Sequence, residues 1–236
     1  MCITVLSEII PFVIKFKVAG KLRFLSHAEM LSVFQRACVR AGINVKYSEG
    51  FNPRPKMSLP LPRPVGVESD DELLYLRLSG GPFQGSGAPD EQRAKEHESR
   101  IKAELSAQLP EGCELLSVSV AEKGRSFQPC SATYVLPVRT EYIDEKLKAT
   151  IARLLASENL NIQRRMGIKT SKVKNLDVRA FLKSIKLEDQ GIIVECNISS
   201  AGSIRIDEVL RLLELDEYNL ASPVRRMNVQ WQVDES

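Results

Sequence analysis

The sequence is poor in the residues that most enzymes rely on. It has two histidines, His27 and His97, and one tryptophan in 236 residues. It contains no P-loop, no GxGxxG and no GxSxG, so phosphate cradling by those loops and serine-type acyl transfer have no support. Its five cysteines are Cys2, Cys38, Cys113, Cys130 and Cys196, and the closest two are 17 residues apart. No CxxC exists, which argues against a zinc ribbon or a cluster held by this chain. An odd set of cysteines in apolar surroundings reads as free thiols in a reducing compartment. Long apolar runs are also missing. Residues 1–18 are apolar but have no basic start or small-residue cleavage site, and Glu8 and Pro11 interrupt them. The expectation is a cytoplasmic protein with no membrane span. The carboxylates are scattered, and Asp70, Asp71 and Glu72 read as a turn entering a strand.

What is present is concentrated in two places. Residues 47–66, YSEGFNPRPKMSLPLPRPVG, hold five of the 12 prolines, with Arg54, Lys56 and Arg63 against one acid, Glu49. Proline fixes φ, removes a donor and pushes the preceding residue toward extended backbone. A stiff, extended loop with cations at fixed positions follows. Phe51, Met57, Leu59, Leu61 and Val65 give it something to bury, so a crossover clamped on the core is the plain alternative. The second place is residues 164–185. From Arg164 to Arg179 six bases face one acid, Asp177, a local balance of +5 against +3 for the entire chain. That density suits a polyanion, RNA first, although a solvated loop has the same composition. Asp177 is read as capping a short helix that runs to Ile185, with Arg179 as its ion-pair partner.

Periodicity orders the rest. Residues 12–18 alternate as a strand, and Ser26 with Glu29 forms a capping box for a helix that Gly42 ends. Its apolar face is read as Leu31, Phe34, Ala37, Cys38 and Ala41, with Arg36 and Arg40 projecting elsewhere. Strands are expected at 43–48, 72–78 and 113–121, a turn-rich linker at 79–90, and a charged helix at 91–108 with His97 facing solvent. After a linker at 122–130, strands are expected at 132–138, 161–168, 191–198 and 227–233, and helices at 143–156 and 206–215. The helix at 143–156 shows Ile143, Leu147, Ile151 and Leu155 at i+4 steps. The fold class expected is α+β: two tandem ferredoxin-like (βαββαβ) units with antiparallel sheets, 1–121 carrying the proline loop and 122–236 carrying the basic stretch.

Several of these segments carry a family resemblance. FLSH (24–27), RACVRAG (36–42), YSEGFNPRPK (47–56), Ser58 with Leu59, GVES (66–69) with Glu72, and the later Lys172, Lys174, Asp177 and Arg179 together resemble the radical-SAM-linked domain family. In that family the domain is a C-terminal extension of a cobalamin-binding radical-SAM protein or a short separate chain beside one, and its own function is unknown. The resemblance implies a radical-SAM partner. S-adenosylmethionine, the iron–sulfur cluster and cobalamin would belong to that partner, because this chain has no cysteine triplet and is expected to bind no cofactor or metal itself.

The functional expectation is an accessory RNA-binding or substrate-presenting module. Arg36, Arg40, Arg54, Lys56, Lys169, Lys172, Lys174 and Arg179 would hold phosphates, Tyr47 or Phe51 would stack on a base, and Asn52 is counted with the RNA-binding residues. One alternative is a protein-docking module without nucleic acid. Another is a metal-independent RNA endonuclease using His27, a neutral imidazole at a helix start that could act as general base. CRISPR repeat-processing endonucleases pair two such units with a basic loop, but that is a fold-level analogy. With no second catalytic group visible beside His27, a structural histidine is the plainer reading, and the balance is against catalysis by the chain alone.

Overall fold

The computed structural model describes residues 9–79, 91–121, 125–165, 173–189 and 191–235. The chain divides into two compact units. Unit 1 is Met1–Val65, Ser69–Gln128 and Val233–Ser236; unit 2 is Gly66–Glu68 and Pro129–Gln232. It is α+β, with four α-helices among the described residues and antiparallel strand pairing within each unit.

In unit 1, β1 (Ile9–Val18) lies between β3 (Glu68–Ser79) and β4 (Cys113–Val120). One face of this sheet is a row of matched apolar pairs: Ile10 opposite Leu78, Phe12 opposite Leu76 and Ile14 opposite Leu74. Cross-strand partners share a face, so this row is the core. The next pair along it is Phe16 opposite Glu72. Glu72 therefore occupies a core position within β3, only 4% exposed, and not the turn that its acidic neighbours suggest.

Helix α1 (His27–Arg40) covers this row. Ser26 Oγ accepts from the Glu29 amide at 3.3 Å and the Glu29 carboxylate accepts from the Ser26 amide at 2.8 Å, the reciprocal cap that the sequence predicts. Its buried face is Met30, Val33, Phe34, Ala37 and Cys38, one position back from the expected stripe at its start, and Leu31 is only partly buried. Phe34 meets Phe16 edge-on at 4.8 Å. Such a pair is worth about 0.5–1.5 kcal/mol beyond its buried area.

Helix α2 (Glu91–Ser106) buries His97, Ile101 and Leu105. The expectation of a solvent-facing His97 is thus corrected: it sits one turn before Ile101 on the apolar stripe and packs edge-on against Phe12 at 5.6 Å. Burial, then the nearby Arg100, lowers its pKa.

The expected strand at 43–48 is real for only three residues. Asn44, Val45 and Lys46 pair with Ser79, Leu78 and Arg77; the chain then leaves the ladder. It returns as Lys56 and β2 (Met57–Ser58), opposite Arg77, Leu76 and Tyr75. One edge strand is thus interrupted by an excursion, and unit 1's sheet runs edge strand–β3–β1–β4.

In unit 2, β5 (Arg125–Leu136) pairs with β9 (Gly191–Ser199) and with β11 (Arg225–Glu235). β8 (Leu182–Glu188) flanks β9, and the short β10 (Gly202–Ser203) continues beside the end of β9. The order is β11–β5–β9–β8. Helices α3 (Glu145–Ala156) and α4 (Ile206–Leu212) accompany it. α3 buries Leu147, Ile151 and Leu154, because a period of 3.6 residues drifts off a strict i+4 series and leaves Leu155 partly buried. At Gly191, φ is +118° and a Cβ would lie 2.3 Å from the Leu136 carbonyl oxygen, so only glycine fits where β9 meets the end of β5.

Three expectations after residue 121 are overturned. The linker expected at 122–130 is strand from Arg125 onward, the start of β5. β6 (Asn161–Arg165) does not join the sheet but pairs with β7 (Val173–Asp177) as a separate two-stranded ribbon. The helix expected after Asp177 is a single 3-10 turn at Arg179–Phe181, followed by β8. A bulge between Leu182 and Ser184 puts the buried Leu182 and Ile185 three residues apart, a spacing that imitates a helix.

Candidate nucleic-acid interface

The excursion from the edge strand is a closed finger. Its base is fixed by the Lys56 amide donating to the Lys46 carbonyl at 2.6 Å and by a bridge between Tyr47 and Pro55. Higher up, the Ser48 amide donates to the Arg54 carbonyl at 2.8 Å and the Arg54 amide to Ser48 Oγ at 3.0 Å. Gly50, at φ +122°, allows the reversal. The expected stiff extended loop is therefore folded back on itself over 47–55. Phe51 at the tip is completely exposed, and Tyr47, Asn52 and Arg54 are exposed below it. The Arg54 and Lys56 side chains make no ion pair or hydrogen bond to any described residue. One exposed cation, Arg54, and two aromatic rings thus stand on a short, internally bonded projection, with the half-buried Lys56 at its base.

Residues 59–64 do something else. Arg63 is a clamp: its guanidinium donates to the carbonyls of Arg23 (2.7 Å), Leu22 (3.1 Å) and Leu25 (3.2 Å), which fastens the proline segment to the 3-10 turn Gly20–Phe24. On that turn, Arg23 lies over the Phe24 ring at 4.2 Å, and Phe24 is 57% exposed.

His27 lines a small crevice with Ser26, Met30, Leu59, Arg63 and Glu72. It has room for the centre of one water, about 10 Å³. His27 Nδ1 is buried there without a hydrogen-bond partner among the described residues. The backbone carbonyl expected for a structural histidine is thus not supplied to that nitrogen.

The second basic stretch is largely built into unit 2. Arg164 makes a two-pronged ion pair with Glu208, Nε to Oε1 and Nη2 to Oε2, both at 2.7 Å, and donates to the Ser203 carbonyl at 2.9 Å. Burial raises the pKa of Glu208, but the hydrogen bonds from Arg164 and the Arg205 amide outweigh it and leave the carboxyl below its usual range. Arg179, expected on the phosphate track and as the ion-pair partner of Asp177, directs its guanidinium to backbone: it donates to the carbonyls of Leu182 (2.7 Å), Ser157 (2.8 Å) and Leu155 (3.1 Å). Asp177 caps the turn, accepting from the amides of Leu160 at 2.8 Å and Arg179 at 2.9 Å, which holds its pKa low. Lys174 is exposed on β7, and Lys169 and Lys172 lie outside the described residues.

On α1 the two arginines differ. Arg36 is exposed, whereas Arg40 donates to the Gln108 carbonyl at 2.5 Å and its Oε1 at 3.2 Å, tying α1 to the end of α2. Arg63 and Glu72 are the residues sequence reasoning passed over. The signal available for Glu72 was its parity with Leu74, Leu76 and Leu78. Burial pushes the thiols of Cys38 and Cys196 up to about 11 and about 12, and burial with the nearby Glu72 pushes Cys113 to about 12. Such thiols are poor nucleophiles.

Among the described residues no group of three His, Cys, Asp or Glu could hold a metal ion, and no helix is long and apolar enough to cross a membrane. No curated protein matches the chain. A family model does match, over residues 12–211 and so across both units. The chain belongs to the family described as "Uncharacterized protein conserved in bacteria (DUF2344)".

Proposed function

We propose that this chain is a non-catalytic module that binds RNA through the 47–56 finger and presents it to a radical-SAM partner. The observation that carries the reading is the finger itself: an exposed Phe51 and Tyr47 beside the uncommitted cations Arg54 and Lys56. Aromatic faces stack on unpaired bases, and cations beside them take the flanking phosphates. The radical-SAM association rests on the motif resemblance. S-adenosylmethionine, cluster and cobalamin would be the partner's, as the same resemblance implies. We also read each unit as ferredoxin-like, because in each the sheet order is fourth, first, third, second strand, with an excursion at or before the second strand.

Labelled structured RNA titrated with the purified chain tests the reading. Phe51→Ala should weaken binding roughly tenfold, within the range of one lost base stack. Unchanged affinity in that variant would remove the stacking role.

A second reading is favoured by the same apolar tip: Phe51 inserts into a pocket of the partner enzyme, with no nucleic acid involved. It predicts co-elution of the two purified proteins without RNA, lost in Phe51→Ala. RNA cleavage by His27 would require activity that vanishes in His27→Ala while binding persists.

A further inference from the structure

The β6–β7 ribbon has two unlike faces. One is turned to the body of unit 2, with Ile162 opposite Leu176, both partly buried, and Arg164 anchored on Glu208. Alternation then sends Asn161, Gln163, Arg165, Val173, Asn175 and Asp177 to the other face, and all six are exposed. There Gln163 stands directly opposite Asn175, with Arg165 opposite Val173 one step further along. Side chains in directly opposed pairs lie about 5 Å apart, and the next pair is roughly 7 Å away. On this face Arg165 makes no ion pair or hydrogen bond to any described residue; Lys174, opposite Arg164, belongs to the other face. The acid on this face, Asp177, is engaged by two backbone amides.

We propose that this outer face reads base edges of unpaired RNA, with the Gln163–Asn175 carboxamide pair taking adenine and Arg165 the adjoining phosphate. A carboxamide offers a donor and an acceptor side by side, the complement of the adenine N6 and N7 edge. Unpaired RNA is the occupant because the A-form major groove is too deep and narrow for side chains, whereas splayed bases expose their edges. The inference rests on the RNA reading of the finger and adds to it. The finger supplies affinity without sequence preference, and the ribbon supplies preference.

The test uses the full chain with fluorescent single-stranded oligo(A), oligo(U) and oligo(C) and a DNA duplex. Wild type should prefer oligo(A) over oligo(U) by roughly tenfold. Gln163→Thr with Asn175→Thr, which keeps good strand formers, should bring that ratio close to one and leave oligo(U) affinity and its salt slope unchanged. Arg165→Ala should weaken all three single strands alike. Arg54→Glu with Lys56→Glu should lower all affinities and keep the ratio. The proposal is overturned if wild type shows no preference for oligo(A), if the ratio survives the double threonine variant, or if the duplex is bound more tightly. Binding with an unaltered ratio would sink the ribbon's role alone. No binding of any RNA by wild type would overturn the finger reading as well.

Discussion

The finger at 47–56 and the ribbon at 161–177 look alike in the sequence, two basic segments beside an edge strand, and they differ in what their cations do. In the finger, the side chains of the exposed Arg54 and of the half-buried Lys56 at its base have no partners among the described residues. In and after the ribbon the cations are divided: Arg164 is committed to Glu208 and Arg179 to three backbone carbonyls, while Arg165 and Lys174 have no partner among the described residues. Charge density therefore does not identify a ligand surface. A guanidinium has five donors and readily becomes a structural cross-brace, whereas a lysine or an arginine on a projection with no acceptors in reach stays available. Arg63 makes the same point inside unit 1: seven residues beyond Lys56, it is a clamp.

If the comparison is right, the two segments respond to substitution in opposite ways. The largest effect on stability should come from Arg164→Ala, which strands the carboxylate of Glu208, 2% exposed, without its partner. Breaking a buried pair from one side costs about 3–5 kcal/mol. Denaturant unfolding should show that loss, while Arg54→Ala shifts the midpoint hardly at all.

Arg179→Met should come next. Losing a charged donor shared by three carbonyls costs about 2–3 kcal/mol. RNA affinity of the folded variant should be unaltered. A drop in affinity without a drop in stability would return Arg179 to the phosphate track.

The smallest effect concerns pH and separates the units. His97 in unit 1 has a folded pKa below its ordinary 6.5, so the unfolded chain binds more protons once the pH falls below that value. Its contribution is complete above about pH 6.5 and is lost as the pH falls through the folded pKa. Glu208 in unit 2 has a folded pKa below 4.5, so its contribution persists above that value and fades only at lower pH. Thermal melts from pH 7 to pH 3 should show the His97 loss first, and His97→Gln should flatten the upper part of the curve only.

Much of this was legible in the sequence. The Ser26–Glu29 box and the alternation in β1 gave α1 and the first strand, and the composition of the loop gave its cations; Phe51 and Val65, which by their apolar character belong with the residues the loop could bury, are instead exposed. What was not legible depends on pairing between distant residues. Leaving and re-entering one edge strand requires Arg77 to meet both Lys46 and Lys56. The detachment of β6 requires β7. The bulge at Leu182–Ser184 disguised β8 as a helix. Polarity points His97 to solvent and Glu72 to a turn entering the strand, although their positions, four residues from Ile101 and two from Leu74, put them on buried stripes.

The central claim is that the finger's cations contact RNA phosphates, and the most direct measurement is the salt dependence of RNA affinity for wild type and Arg54→Glu with Lys56→Glu. Removing two phosphate contacts to a single strand should reduce the slope of log affinity against log salt by about 1.4, with the greatest loss of affinity at low salt. Parallel slopes in the two proteins would contradict the account and leave the finger as a protein-docking element.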